Sequence, residues 1–282
     1  MSYFKWPPPK RRKKLIIAFP GSVLVTEDTL ELKTIKAGLL GRSLAIFRVN
    51  EALLFRDSDT TIRDLKLLRL LLKYMVTPPH IRRKAYPITS DLSAVGLLPP
   101  LRLYPHDIPQ NVEVGVKIDG YVESCSGGEC KVYLGRIGYG ILRDYVKPGS
   151  IVTVEVKSIV NSKIILQVSS WGDIYTGFRV KVIYKLEDII NYYKSRSHTI
   201  ILSSKYGEWI GNIANNIFAH LSRSKGALII FGGPYKCPYE YTSSDLYDFI
   251  INTIPSQGTI SVRTEEALIA TLSALENLSV LS

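Results

Sequence analysis

Cysteine is nearly absent. Cys125, Cys130 and Cys237 are the only three among 282 residues. So low and odd a count builds no disulfide framework and fits a reducing compartment. Two of them stand in CSGGEC, with no second pair nearby to complete a zinc site, which needs four ligands. That stretch reads as a hairpin tip, with a cross-hairpin disulfide as the alternative. His80, His106, His198 and His220 show no metal-ligand spacing, so no metal is expected. HExxH, a P-loop and GxSxG are missing, and GRIGYG (135–140) has its glycines in the wrong order for a dinucleotide loop. It reads as a β-turn region. No apolar run reaches the roughly 18 residues of a membrane helix. MSYFKWPPPKRRKK lacks the apolar stretch and cleavage site of a signal peptide. The expectation is a soluble, cytoplasmic protein with no membrane partner.

What is present is an ordinary globular composition, 46% hydrophobic and 22% charged, long enough for one large domain or two smaller ones. The net charge of +11 is concentrated in two places. Residues 1–14 hold six cations and no acid, and residues 60–85 hold seven cations against Asp64. The rest of the chain is close to neutral. Two basic patches on a neutral body suggest a polyanion, with nucleic acid first. A solvated arm and a solvated helix face are the plainer reading.

The pattern of elements changes twice along the chain. LIIAF (15–19) reads as a buried strand ended by Pro20-Gly21. A helix is expected next, with Thr26 as cap and Gly38 as stop. SLAIFRV (43–49) and ALLF (52–55) read as strands. TIRDLKLLRLLLKYM (61–75) reads as a helix with Arg63, Lys66, Arg69 and Lys73 on one stripe. A loop with Arg82, Arg83 and Lys84 follows. From about 110 to 170 only short, alternating strands appear, broken by Gly, Pro, Asn and Ser, which indicates a small OB-like barrel. Tyr121, Tyr133, Tyr139 and Tyr145 within it could stack on bases or fill its core. After 175 the α/β texture returns. FRVKVIY, HTIILSS and ALIIF (227–231) read as strands. LEDIINYYKSR, EWIGNIANNIFAHLSRS, TSSDLYDFIINTI and the final segment from Thr264 read as helices. Trp209, Ile213, Ile217 and Leu221 are expected to form one buried stripe, and Leu268, Leu272, Leu275 and Leu278 another. An α/β domain interrupted by an inserted barrel is the economical reading.

In open α/β sheets ligands bind beyond the C-terminal ends of strands. SSKYG (203–207), GGP (232–234) and NTIPSQG (252–258) qualify. Singly each is a tight turn, but three in one half-domain make a pocket. A phosphate is disfavoured by Glu265 and Glu266 at the start of the last helix, so a neutral or cationic ligand fits better.

FPGSVL, AIFRVNEALLF, LLKYMVTPPHIRRKAYP, GLLPPL, IIFGGP and NTIPSQGTISVRTEEA together resemble the SPOUT-superfamily RNA methyltransferases. The likeness is to the archaeal and eukaryotic branch with an inserted OB-like barrel, and it spans nearly the whole chain. It implies an α/β SPOUT-type domain with a C-terminal trefoil knot. The expected layout is 1–105 with a basic arm at 1–14, the barrel at 106–174, and 175–282 carrying the knot. It also implies S-adenosyl-L-methionine as cofactor, an RNA substrate (ribosomal RNA, at a uridine ring nitrogen) and a homodimer. The cofactor residues would be Lys205, Gly232, Gly233, Asn252, Ile254, Gly258 and Thr264. Lys205 stands where the family often has Arg, keeping the charge without the planar fork.

Methyl transfer needs alignment of donor and acceptor and an acceptor that has lost its proton. No histidine lies in the three loops, so a cation that stabilises the anionic acceptor is expected, and Arg42 is the candidate. Arg63, Lys66, Arg69, Lys73, Arg82, Arg83 and Lys84 would hold RNA phosphates. The homodimer is expected through the apolar faces of helices 61–75 and 264–279. The competing reading is a non-catalytic RNA-binding or ribosome-assembly factor with a vestigial pocket. A dehydrogenase is disfavoured by the missing GxGxxG.

Overall fold

The computed structural model of the protein describes residues 4–278. Its elements in chain order are β1 (Lys14–Pro20), α1 (Leu30–Ile46), β2 (Glu51–Phe55), α2 (Ile62–Val76) and the single turn α3 (Arg82–Ala85). Then come β3 (Lys117–Ser126), β4 (Glu129–Tyr133), β5 (Tyr139–Leu142), β6 (Ile151–Val160) and β7 (Lys163–Val168). The last group is β8 (Arg179–Val182), α4 (Leu186–Lys194), β9 (Thr199–Trp209), α5 (Ile210–Arg223), β10 (Gly226–Ile230), β11 (Phe249–Asn252) and α6 (Thr264–Asn277). They form two compact units. One comprises Arg11–Lys73, Asp91–Leu101 and Gly177–Ser282, and the other Met1–Lys10, Tyr74–Ser90 and Arg102–Thr176.

The first unit is an α/β unit built on a six-stranded parallel sheet of order β11-β9-β10-β1-β2-β8. β1 and β10 lie at its centre, with Ile16 opposite Leu228 and Ala18 opposite Ile230. Strands covered on both faces carry unbroken apolar runs, and LIIAF and ALII are such runs. On one face Ile16, Leu53, Phe55, Leu228 and Ile230 pack with Ile189 and Ile190 of α4. α6 contributes Leu268, Leu272 and Leu275, all fully buried, while Leu278 is exposed and falls outside the expected stripe. Residue 279 lies outside the described residues.

Four local readings need correction. The first helix starts later and runs longer: Thr29, not Thr26, is its cap, accepting from the Leu32 amide. It passes through Gly38 and takes in Ser43–Ile46, so 43–46 is not a strand. Gly38 is there for close packing, because a Cβ would come within 2.5 Å of the Pro99 ring. Residues 203–209 continue β9 rather than forming a loop. FIIN (249–252) is a strand, not part of a helix: it adds a further parallel strand beside β9, with the Asp248 carboxylate accepting from the Ile200 amide at 2.8 Å. Trp209 caps α5 and is exposed, and Ile210 takes its place beside Ile213, Ile217 and Leu221.

The α2 reading holds, with Arg63, Lys66, Arg69 and Lys73 exposed along one face. Its apolar face is buried at Leu65, Leu68, Leu71, Leu72 and Met75, so it is not free for a second subunit as expected.

The second unit is a closed barrel of order β3-β4-β5-β7-β6, with β6 returning to β3. Only the β5–β7 pair is parallel. Alternation sends Ile118, Val122, Val132, Leu142, Val154, Val156 and Leu166 inward. At the β3–β4 tip Gly127-Gly128 makes the turn, and Cys125 is disulfide-bonded to Cys130 across the hairpin. Of the two readings of CSGGEC, the structure therefore holds both the tip and the disulfide. The N-terminal segment is not a loose arm. The Pro8 carbonyl accepts from Tyr175, the Lys10 amide donates to Asp173, and Trp6 meets Tyr104 edge-on. In the α/β unit, Arg11 is buried in a two-pronged pair with Glu276.

Candidate functional site

β9, β10 and β11 are neighbours in the sheet, and residues 203–206 of β9 together with the segments leaving β10 and β11 enclose a cavity of about 400 Å³. Lys205, Gly232, Gly233, Asn252, Ile254 and Thr264 line it. Six of the seven expected cofactor residues are thus brought together; Gly258 is in the same loop but does not line the cavity. Ser204, Tyr206 and Thr253, within the segments expected to form the pocket, also line it, as do Lys236 and Cys237, which were not anticipated. The missed signal was adjacency, since Lys236 and Cys237 lie two and three residues beyond GGP.

The walls are cross-tied by side chains. Asn252 donates from Nδ2 to the Lys205 carbonyl at 2.8 Å and accepts on Oδ1 from the Ile254 amide at 2.9 Å. Lys205 donates to the Ile260 carbonyl at 2.9 Å. The Thr264 hydroxyl donates to the Gly232 carbonyl at 2.9 Å, joining α6 to the loop after β10. Thr264 does not cap the helix: Arg263 precedes it, and its amide is satisfied by the Glu266 carboxylate at 2.9 Å. Beneath the floor, Thr271 shares hydrogen bonds with Ser203 and Thr253, each at 3.0 Å.

Gly233 also packs closely against the protein beneath it. A Cβ on Gly233 would lie 2.4 Å from Ser22 Oγ and 2.8 Å from Asp57 Oδ2. That space holds a buried cluster of polar groups in which Ser22 donates to Asp57 Oδ2 at 2.6 Å and Thr60 donates to Oδ1 at 2.5 Å. Glycine here lets the loop settle on the protein beneath it, not only against a ligand above it.

The acids of α6 do not face the cavity, so the expectation that they repel phosphate there does not hold. Glu265 is buried and turned towards Lys36, 3.6 Å away, which also pairs with Glu27 at 3.0 Å. Burial raises the Glu265 carboxyl above its ordinary range. Cys237 sits 3.5 Å from the Ser204 hydroxyl, and burial pushes its thiol up, so it stays protonated at neutral pH. Among the described residues lining the cavity there is no histidine. Its lining combines backbone, hydroxyl and amide groups, Lys205, Lys236 and Glu240 with the apolar side chains of Phe231, Ile254, Val262 and Ala267.

Arg42 lies on α1 and donates to the carbonyls of Pro100 and Leu101 at 3.1 and 3.2 Å; it does not line the cavity. In the barrel unit, Arg82 is turned inward. It donates to the Thr77 and Met75 carbonyls and lies 4.7 Å from the Tyr74 ring centre, and burial lowers its pKa. Arg83 is exposed, and Lys84 pairs with Glu123 at 2.5 Å.

Residues 14–275 match the family described as "Putative RNA methyltransferase". The "28S rRNA (uridine-N(3))-methyltransferase" of Drosophila melanogaster is 26% identical over 93% of this chain, and the match spans 61% of that protein. An uncharacterized protein of Halobacterium salinarum is 28% identical over 92% of this chain and 97% of its own length. Among solved structures, the SpoU methyltransferase AviRb of Streptomyces viridochromogenes, in complex with AdoMet, aligns at a TM-score of 0.39 and 9% identity. It covers 96% of this chain and 60% of that one, and so low a score carries no argument. The match over residues 14–275 decides the question: the chain belongs to this RNA methyltransferase family.

Proposed function

We propose that this protein transfers the methyl group of S-adenosylmethionine to a uridine of ribosomal RNA, at ring nitrogen N3. The observation that carries the reading is the cavity between the second half of β9 and the segments after its neighbours β10 and β11, at the end of the sheet where open α/β folds bind ligands. Family membership supports the reaction class, and the printed name of the Drosophila relative supports the base and atom.

The residues fit the cofactor. The volume is within the range of small-molecule sites, about 300–1,000 Å³. Backbone groups of Gly232, Asn252 and Ile254, with the hydroxyls of Ser204 and Thr253, offer the mixed donors and acceptors an adenosine requires. Lys205 and Thr264 hold the walls that contact it, and Gly258 completes the loop. When bound, S-adenosylmethionine supplies an electrophilic methyl group. The chain's own residues do the rest: they fix the donor's orientation, exclude water, and present a uridine whose N3 has already released its proton to bulk water, so that the N–C bond forms as the methyl–sulfur bond breaks. The protonated thiol of Cys237 is not a base at neutral pH. A cation that stabilises the uridine anion is the remaining route; Arg42, which does not line this chain's own cavity, is assigned that role from the α1 stripe of the second copy in the proposed homodimer.

A homodimer and a C-terminal trefoil knot belong to the same reading. The knot is supported by the placement of β10 between β9 and β1, with the segments after β10 and β11 meeting at one cavity. The dimer is supported by α1, where Leu32, Ile35, Leu39 and Ile46 are between 41 and 56% exposed. Their spacing makes one stripe, and Arg42 falls on it. RNA phosphates are assigned to the α2 stripe, Arg83 and Lys84.

The test is isothermal titration with S-adenosylhomocysteine, paired with mapping of N3-methyluridine in ribosomal RNA exposed to the enzyme and cofactor. Saturable heat is expected, abolished in Gly232→Trp, whose ring would occupy the cavity. Absence of heat at millimolar ligand, with and without RNA, sinks the proposal.

A further inference from the structure

The barrel carries a row of tyrosines that has no part in the chemistry above. Tyr121 on β3 is paired with Tyr133 on β4, and Tyr133 with Tyr139 on β5. Their neighbours Val122, Val132 and Gly140 are buried. Strand alternation therefore puts all three rings on the outer surface, in one row across three consecutive strands. The choice between core filling and an outward platform, open in the sequence, is settled for these three. The Tyr133 and Tyr139 rings are 5.3 Å apart, and Tyr139 is 39% exposed.

Cations are set among the rings. Lys131 Nζ lies 3.9 Å from the centre of Tyr139, and Lys84 Nζ lies 5.6 Å from that of Tyr133 and 6.0 Å from that of Tyr139. Glu123 holds both ammonium groups, at 2.5 Å from Lys84 and 2.9 Å from Lys131. Arg83 is exposed on the same turn as Lys84. Glu123 shares the two ammonium groups, and Asp119 and Glu129 also occupy outward positions of β3 and β4, so the cations are local to the rings and the face is not strongly positive.

Flat rings with cations between them match the two repeating parts of single-stranded nucleic acid: base faces stack on aromatics, and phosphates meet ammonium groups. Neighbouring strands are about 4.8 Å apart, so the row spans roughly 10 Å, enough for two or three bases. β4 and β5 are also the second and third strands of the barrel, the pair that carries oligonucleotide contacts in OB folds. A base stacking on Tyr139 takes the place of Lys131 over the ring, and the ammonium, still beside Glu123, then lies next to the adjoining phosphate.

From these observations we infer that the Tyr121–Tyr133–Tyr139 row, with Lys84 and Lys131, binds a single-stranded stretch of the RNA substrate. The inference rests on the proposed RNA methyltransferase reading for its choice of nucleic acid. Recognition by stacking is tolerant of sequence, so this face supplies affinity and a demand for unpaired bases, not the identity of the methylated uridine.

The experiment is fluorescence anisotropy of the full chain with a labelled twelve-nucleotide mixed-sequence RNA, with a hairpin of the same length as competitor. Tyr133→Ala/Tyr139→Ala is expected to weaken binding about tenfold or more, the loss of two stacked bases. Tyr133→Phe/Tyr139→Phe, which keeps the rings, and Tyr145→Ala, outside the row, are expected to bind within about twofold of wild type. The unpaired RNA is expected to compete better than the hairpin. Equal affinity in the double-alanine variant, preference for the hairpin, or no binding by wild type overturns the inference. S-adenosylhomocysteine titrations on the same samples report on the cofactor site independently. Intact cofactor binding beside unchanged RNA binding would remove the tyrosine row and leave the methyltransferase reading standing.

Discussion

Gly233→Ala puts the packing argument under the cavity at risk. The new Cβ would sit 2.4 Å from Ser22 Oγ and 2.8 Å from Asp57 Oδ2. Neither atom is the free end of a flexible chain. Ser22 is fully buried, and Asp57 is held by both Ser22 and Thr60. If the loop shifts, the cost is that of an overpacked core, about 1–3 kcal/mol. If Ser22 swings away instead, a hydrogen bond to a buried carboxylate is lost, about 1.5–3 kcal/mol. The two routes are alternatives and the cheaper one is taken, so the net loss should be about 1–3 kcal/mol. The chain has three tryptophans, and Trp209 is the one in the α/β unit. Urea denaturation followed by Trp209 fluorescence, with Trp6 and Trp171 replaced by Phe, reports that unit separately. S-adenosylhomocysteine affinity should fall with it, because the carbonyl of the neighbouring Gly232 is tied to Thr264. Gly258→Ala, whose added methyl would have no neighbour within 4 Å, is the matched control. A Gly233→Ala protein within about 0.5 kcal/mol of wild type, the ordinary range for surface substitutions, would refute the packing account.

Three further outcomes are expected. Burial lowers His106 to a pKa of about 4, and its Nε2 is bonded to the Val76 carbonyl. Between a pH of about 6.5 and about 4 the unfolded chain therefore binds a proton that the folded chain does not. Stability from this group is complete above the unfolded value and lost as pH falls towards the folded one, by at most about 3 kcal/mol. Denaturation midpoints should fall more steeply with acid in wild type than in His106→Asn, and parallel profiles would contradict this. Replacing Arg63, Lys66, Arg69 and Lys73 together by Ala should flatten the slope of log affinity for single-stranded RNA against log salt by about 3. An unchanged slope removes α2 from the RNA surface. Leu39→Asp, a charge placed in the exposed α1 stripe, should convert a dimer to a monomer in sedimentation velocity; a persistent dimer would move the interface elsewhere.

The parallel-sheet core was legible because LIIAF, ALLF and ALIIF are uninterrupted apolar runs, the pattern of strands covered on both faces. The barrel was legible from alternation. The misread elements all depended on distant partners. Residues 43–46 are apolar enough for a strand, but they continue α1, whose Gly38 lies against the Pro99 ring. FIIN has no helix-breaking residue, and only β9 alongside it makes it a strand. The cavity was legible in outline from the three Gly- and Pro-bearing segments. The inward turn of Arg82 and Glu265 was not, since their partners, carbonyls at 75 and 77 and the ammonium of Lys36, become neighbours only in the folded chain.

The central pairing of β1 with β10 has a consequence for synthesis. Lys14 is opposite Gly226, so β1 leaves the ribosome about 210 residues before its inner partner. That is a wait of roughly 10–40 s at ordinary elongation rates. Throughout that interval the apolar edge of LIIAF has β2 on one side and no strand on the other. Meanwhile the barrel strands, all made before residue 170, have every partner they need. The nascent chain should thus carry a finished barrel beside an unfinished sheet, and the half-built sheet is the species a chaperone would meet.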